Sequence, residues 1–161
     1  MIKVISGGQT GADQGGLLAA TILGIPTGGT APHGFKTETG NDPELLRGVY
    51  KLKQNKSTDY RARTYANCKD SEITLWFGHV QTPGYYCTEQ GCVLGNSIFR
   101  IILKPQEIYG VEYQRLITDL KALLEVQDNL VINIAGNRES GNPGLSTTVT
   151  AYMLEVLQEF L

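Results

Sequence analysis

The sequence predicts an α/β fold: a Rossmann-like, doubly wound, mostly parallel sheet of about five or more strands flanked by helices, forming one domain over residues 1–161. Three observations predict it. Short apolar runs (IKVIS, EITLWF, IFRIIL and NLVINIAG) alternate with stretches of helical spacing. That alternation builds a parallel sheet covered on both faces, and right-handed crossovers narrow it to doubly wound layouts. Glycine-rich segments follow Ser6, Thr27, Phe77 and Ala135, all at carboxyl ends of strands, where open α/β sheets bind ligands.

Ile2 to Ser6 is short, apolar and β-branched, a buried strand. Leu17, Leu18, Thr21 and Ile22 recur at helical spacing, with Gly24 as the stop. IPTGGTAP is a short second strand running into a turn. Residues 31–56, rich in Gly, Pro, Asn and Lys, read as a long loop, which in a compact domain is commonly functional. STDYRARTYANCKDS is a helix capped by Ser57, Thr58 or Asp59. After the strand EITLWF, GHVQTPGYY reads as a loop and CTEQGCVLGN as a short helix. IFRIIL ends at Lys104-Pro105, Val111 to Val126 is an amphipathic helix, and NLVINIAG is the last strand. NRESGNPG is a loop before a closing helix from Leu145 to Leu161.

The chain has a net charge of −2 and 41% hydrophobic residues. No basic block argues for a nucleic-acid polymer, and no apolar run is of membrane-spanning length. Three cysteines and no leader-like segment give the expectation of a cytoplasmic protein with reduced thiols.

The first loop, SGGQTGAD, has no Lys-Ser/Thr after Gly11, so it is not a P-loop. It is one glycine short of G-x-G-x-x-G, and Thr27-Gly28-Gly29-Thr30 stand where a dinucleotide site needs an acid, so no NAD is expected. The remaining functional reading is an anion or phosphate-binding loop, with backbone N–H groups and a helix N-terminus converging on one spot. A side chain at Gly8 is then expected to block the ligand and spare the fold. The plain alternative for Thr10 and Asp13 is a capping box.

SGGQTGADQGGLLAA followed by LGIPTGGTAPHGFKTETG resembles the start of the family called "putative molybdenum carrier". STDYRARTYANCKDSEITLWF and INIAGNRESGNPG resemble its later blocks. The family is related to the lysine-decarboxylase-like, LOG-type Rossmannoid proteins. The resemblance implies a non-catalytic binder or carrier whose cargo is molybdenum cofactor, a phosphorylated pterin. It carries over Gly7, Gly8, Gln9, Thr10, Gly11 and Asp13, then Gly28 and Gly29, then Asp59, Tyr60, Arg63, Thr64 and Asp70. From the last block come Gly136, Arg138, Glu139, Ser140, Pro143 and Gly144. Asn137 stands where the resemblance leads to an expectation of proline. Of the LOG-type motif Pro-Gly-Gly-x-Gly-Thr-x-x-Glu, only Pro83-Gly84 and Thr88 survive, which puts hydrolysis in doubt. A LOG-type phosphoribohydrolase acting on nucleoside monophosphates, with Glu89 or Glu139 as its acid, is the enzymatic alternative. A nucleotide-sensing module is a third. LOG-related proteins are commonly homo-oligomers, so a dimer or tetramer is expected.

Other residues gain meaning beside these. Tyr60, Arg63, Thr64 and Asn67 share one helix face, where Arg63 can offer a fork to a phosphate or a ring carbonyl. Arg138-Glu139-Ser140 leads into a helix with Pro143-Gly144 at its start and forms a second candidate anion site. Cys87 and Cys92 with His33 or His79 match no common zinc spacing, so no metal is assigned. Trp76 reads as core, and Tyr85 and Tyr86 as platforms for a flat ring.

Overall fold

The computed structural model describes residues 1–161. In chain order the elements are β1 (Ile2–Ser6), α1 (Ala12–Ile22), β2 (Thr27–Gly28), β3 (Thr30–Ala31), β4 (Lys36–Thr37), β5 (Gly40–Asn41), β6 (Lys53–Gln54), α2 (Tyr60–Lys69), β7 (Ile73–Phe77), α3 (Pro83–Gly95), β8 (Ile98–Ile102), α4 (Val111–Val126), β9 (Leu130–Gly136) and α5 (Leu145–Gln158). Five parallel strands form the central sheet in the order β2-β1-β9-β7-β8, as the alternating pattern predicts. The last strand, β9, inserts between β1 and β7. Its register sets Ser6 beside Ile134 and Phe77 beside Gly136, so three glycine-bearing loops leave the sheet side by side. No helix is long and apolar enough to cross a membrane.

The two faces of the sheet differ. Ile73, Leu75 and Phe77 of β7 and Ile132 and Ile134 of β9 join residues of α1, α4 and α5 in the main apolar core. The alternate positions Thr74, Trp76 and Asn133 fall on the opposite face. That layer, under α2 and α3, is polar. Asn133 Nδ2 donates to Thr74 Oγ1 at 3.2 Å, and the Ser71 and Ser97 hydroxyls lie 3.3 and 3.0 Å from the same oxygen. Beside them the buried Cys68 and Cys92 thiols meet at 3.5 Å. Every buried polar group needs a partner, and this network supplies them where the other face uses hydrocarbon.

Residues 31–56 are more ordered than the long loop expected. β3 pairs parallel with β6, β4 pairs antiparallel with β5, and a wide helical turn covers Glu44–Val49. Ala31, Phe35, Leu46, Tyr50 and Leu52 build a second small core against Leu17 of α1. Strands of two residues carry no periodic signal, which is why the sequence reads as a loop. The Pro83–Tyr86 segment, also expected as a loop, is the first turn of α3. Thr82 caps it by accepting from the Tyr85 N–H at 3.2 Å, and Pro83 takes the first helical position. The closing helix ends at Gln158 rather than Leu161.

Gly28 and Gly29 form the corner between β2 and β3. A Cβ on Gly29 would run into the Ser6 carbonyl and lie 2.7 Å from the Ser6 nitrogen, and its φ is +118°. The pair therefore lets the corner lie flat on β1. Gly29→Ala is expected to destabilise the protein by at least about 1–3 kcal/mol, the cost of a strained backbone position, read as a lower urea midpoint at unchanged m-value.

Candidate functional site

A cleft of about 510 Å³ opens at the carboxyl ends of β9 and β7 and runs between the sheet and α2 and α3. Its size falls within the roughly 300–1,000 Å³ of small-molecule sites. Gly7, Gln9 and Asp13 come from the first loop and α1, and Tyr60, Arg63, Thr64 and Asn67 from α2. Pro83, Gly84, Cys87 and Thr88 come from α3, Trp76 and His79 from β7 and its loop, and residues 133–138 and Gly141 from β9 and beyond. The face predicted on α2 is thus a wall of the cleft. A larger hollow of about 720 Å³ lies on the sheet edge between β8 and α4, where Arg100 is already paired with Asp119 at 2.6 Å.

An ion pair organises the cleft. Arg63 Nη1 donates to Asp13 Oδ2 at 2.8 Å, with side-chain exposures of 14% and 3%. Asp13 also accepts from the Gln9 N–H at 3.1 Å. Burial pushes the Asp13 carboxyl up, against the pull of Arg63 and the Gln9 amide. The capping box expected of Thr10 and Asp13 does not form: the N-cap is Gly11, with no side-chain cap bond, and the Thr10 N–H goes to Gln9 Oε1. Asp13 reaches back to Gln9, while the Thr10 hydroxyl points to Glu38.

The cleft presents donors. Arg63 Nε, Gln9 Nε2 and Trp76 Nε1 are buried and have no hydrogen-bond partner within the protein. The orientation of the Gln9 amide is fixed, because its Oε1 accepts from the N–H groups of Thr10 at 3.0 Å and Glu38 at 2.9 Å. An unpaired buried N–H is costly, and all three belong to residues that line one space. The Tyr60 ring gathers three cations: Lys36 at 4.9 Å, Arg63 at 5.5 Å and Arg138 at 5.6 Å from its centroid. Only Arg63 among them has a carboxylate within ion-pair distance.

Other residues expected at the site lie off the cleft, each for a packing reason. A Cβ on Gly8 would come within 2.9 Å of Leu46 and Leu52, at a φ of +79°, so a side chain there strikes the second core and does not spare the fold. Gly11 makes room for the backbone of residues 137–139, with the Glu139 nitrogen 2.7 Å from where a Cβ would stand. Gly28 and Gly29 pack on Lys3 and Ser6. Thr10, Glu139 and Ser140 sit just behind the cleft wall. The Glu139 carboxylate accepts from the Gly144 N–H at 2.6 Å and the Ser146 N–H at 2.9 Å, capping α5. Glu89 bonds the Tyr85 hydroxyl at 3.2 Å. Neither acid proposed for hydrolysis lines the cleft.

The aromatic roles exchange. Tyr85 is buried edge-on against Trp76, with centroids 5.6 Å apart, and Tyr86 is exposed. Trp76, read as core, is buried but lines the cleft with Tyr60. Asn137, where the resemblance led to an expectation of proline, binds three loops together. Its N–H donates to the Phe77 carbonyl at 3.1 Å and its Oδ1 accepts from the His79 N–H at 2.6 Å. Its carbonyl accepts from the Ala12 N–H at 3.2 Å. Proline could supply only the last of these.

Sequence reasoning missed Glu38. The Thr10 and Ser140 hydroxyls both donate to its carboxylate, and the Ser140 N–H donates at 3.1 Å. These partners lie 28 and 102 residues away in the chain, and no local signal could have found them. Burial opposes ionisation, but the Ser140 and Thr10 bonds and the charge of Arg138 hold the Glu38 carboxyl below its usual value. A depressed native value stabilises the fold above the unfolded pKa of about 4.3, and the contribution fades as the pH falls through the native one. The gap in melting temperature between wild type and Glu38→Gln is expected to be full near pH 7 and to close toward about pH 3.

No curated protein matches the chain. The crystal structure of a "putative molybdenum carrier protein" from Syntrophus aciditrophicus SB matches with a TM-score of 0.77 and 30% sequence identity, over 99% of this chain and 94% of that one. The model of cpYpsA, the circularly permutated YpsA SLOG family, matches residues 4–157. The resemblance drawn from the sequence therefore holds, and the chain belongs to this molybdenum carrier-like SLOG family.

Proposed function

We propose that the protein is a non-catalytic binder and carrier of a phosphorylated ring compound of the pterin or nucleotide kind, with molybdenum cofactor as its cargo. The observation that carries this reading is that three unpaired buried donors, Gln9 Nε2, Arg63 Nε and Trp76 Nε1, belong to residues that line one cleft. A ligand rich in carbonyl and ring-nitrogen acceptors would satisfy them. Lys36 and Arg138 around Tyr60 suit an anionic group at the rim. The name of the structurally similar protein points the same way.

The carboxylates favour binding over hydrolysis. Asp13, which lines the cleft, already accepts from Arg63 and Gln9, while Glu139 caps a helix and Glu89 holds a tyrosine. A hydrolase would need one free to handle a water. Incubation with AMP is expected to release no adenine or ribose phosphate, and release would favour the LOG-type alternative. The exposed Val93 and Leu94 of α3, near the edge strand residue Ile98, support a homo-oligomer. Light scattering is expected to give a particle larger than 17.6 kDa. The free thiols suit a cytoplasmic setting.

Native mass spectrometry of freshly purified protein tests the reading directly, with a co-purified pterin as the expected species. The chain's single tryptophan lies in the cleft wall and gives a fluorescence signal. Arg138 is exposed and unpaired, so Arg138→Ala is expected to weaken a phosphorylated pterin or AMP by about tenfold, or ~1.4 kcal/mol, with little change in melting temperature.

A further inference from the structure

Behind the cleft wall, donors from two loops converge on a carboxylate that the protein itself supplies. Glu38 stands at the tip of the hairpin formed by β4 and β5. It receives the Thr10 and Ser140 hydroxyls and the Ser140 N–H. The Glu139 N–H donates to Thr10 Oγ1 at 3.2 Å, which commits the proton of that hydroxyl outward. Arg138 adds positive charge. Charge-assisted donors of this kind suit any small oxyanion. Gln9 joins this place to the cleft. It is 5% exposed and lines the cleft, its Oε1 accepts the Glu38 N–H, and its Nε2 has no partner.

We propose that Thr10, Ser140 and the Ser140 N–H form an oxyanion subsite adjoining the cleft, and that Glu38 is its exchangeable occupant. A terminal phosphate or a free tetrahedral oxyanion enters as the hairpin tip lifts out. This rests on the reading of the cleft as the binding site. Two anions cannot share one donor set, because each hydroxyl proton and the one N–H given to Glu38 are not free for a second oxyanion. The incoming group must therefore displace the carboxylate. Few bonds oppose such a movement. Its ladder is only two residue pairs, Lys36 with Asn41 and Thr37 with Gly40, and it stands outside the central sheet. Phe35 anchors its base in the second core. Lys36, on the same hairpin, lies over Tyr60, so a lifted tip also opens the rim of the cleft.

Calorimetric titration of wild type and Glu38→Ala with inorganic phosphate, molybdate, AMP and adenosine tests this. Glu38→Ala is expected to bind phosphate and AMP at least about tenfold more tightly than wild type, with adenosine unchanged. Adding Ser140→Ala should erase the gain. A gain with AMP beyond that with phosphate or molybdate assigns the subsite to a phosphate monoester, and a gain confined to the free ions assigns it to an oxyanion. Equal or weaker binding of both phosphate and AMP by Glu38→Ala overturns the subsite, even if AMP and adenosine bind both proteins and the cleft reading stands. If neither nucleoside compound binds, a nucleotide cargo is excluded while the pterin reading stands, and the phosphate and molybdate titrations decide the subsite. Glu38→Gln keeps the hydrogen-bonding shape without the charge. It is expected to show a smaller gain in the same direction, and it carries the test if Glu38→Ala does not fold.

Discussion

The Asp13–Arg63 ion pair is the interaction on which the rest of the site depends. It joins the first turn of α1 to the middle of α2 across fifty residues of chain. It also orients the loop that precedes α1, because Asp13 holds the Gln9 N–H. Gly7 exists for this pair. A Cβ there would lie 2.7 Å from Arg63 Cδ and drive into the guanidinium. A buried pair of this kind adds little net stability, but leaving one partner alone costs about 3–5 kcal/mol. Its contribution is therefore to geometry. With Nη1 on Asp13, the guanidinium is held in place and its Nε is left unpaired within the protein.

The uneven sheet explains where the cleft can form. On the α1, α4 and α5 side, large apolar side chains fill the space. On the α2 and α3 side, Thr74, Asn133, Ser71 and Ser97 satisfy one another in a thin hydroxyl and amide layer. Such side chains do not fill the volume that leucine or phenylalanine would. At the carboxyl ends of β7 and β9 this layer gives way to the cleft, with Asn133 and Trp76 in its wall. The polar face is thus continuous with the site, and the apolar face carries most of the folding energy.

The parts of the fold that repeat were legible in the sequence. The strands of five and seven residues carry apolar runs and α4 an amphipathic period, and the loops after β1, β7 and β9 carry glycine. The α2 face was legible for the same reason, since Tyr60, Arg63 and Thr64 recur at helical spacing. What could not be read lacks either period or proximity. β3 to β6 are two residues each, too short to alternate. Trp76 is buried as its strand position predicts but also lines the cleft, and Tyr85 is turned inward against it, because only their mutual packing decides which ring meets the cleft.

The glycines of the first loop show how a sequence signal can be right in kind and mistaken in object. A cluster of glycine means that something comes close to the backbone. Here much of what comes close is the protein itself: Arg63 at Gly7, Leu46 and Leu52 at Gly8, and the backbone after β9 at Gly11. Close packing of this kind fixes the chain between the glycines. Gln9 and Asp13 are the side chains that this fixed chain offers to the cleft, and Thr10 is the one it offers to Glu38. The glycines therefore act by holding three polar side chains still, and a ligand in this cleft meets side-chain donors where a phosphate-binding loop would offer backbone.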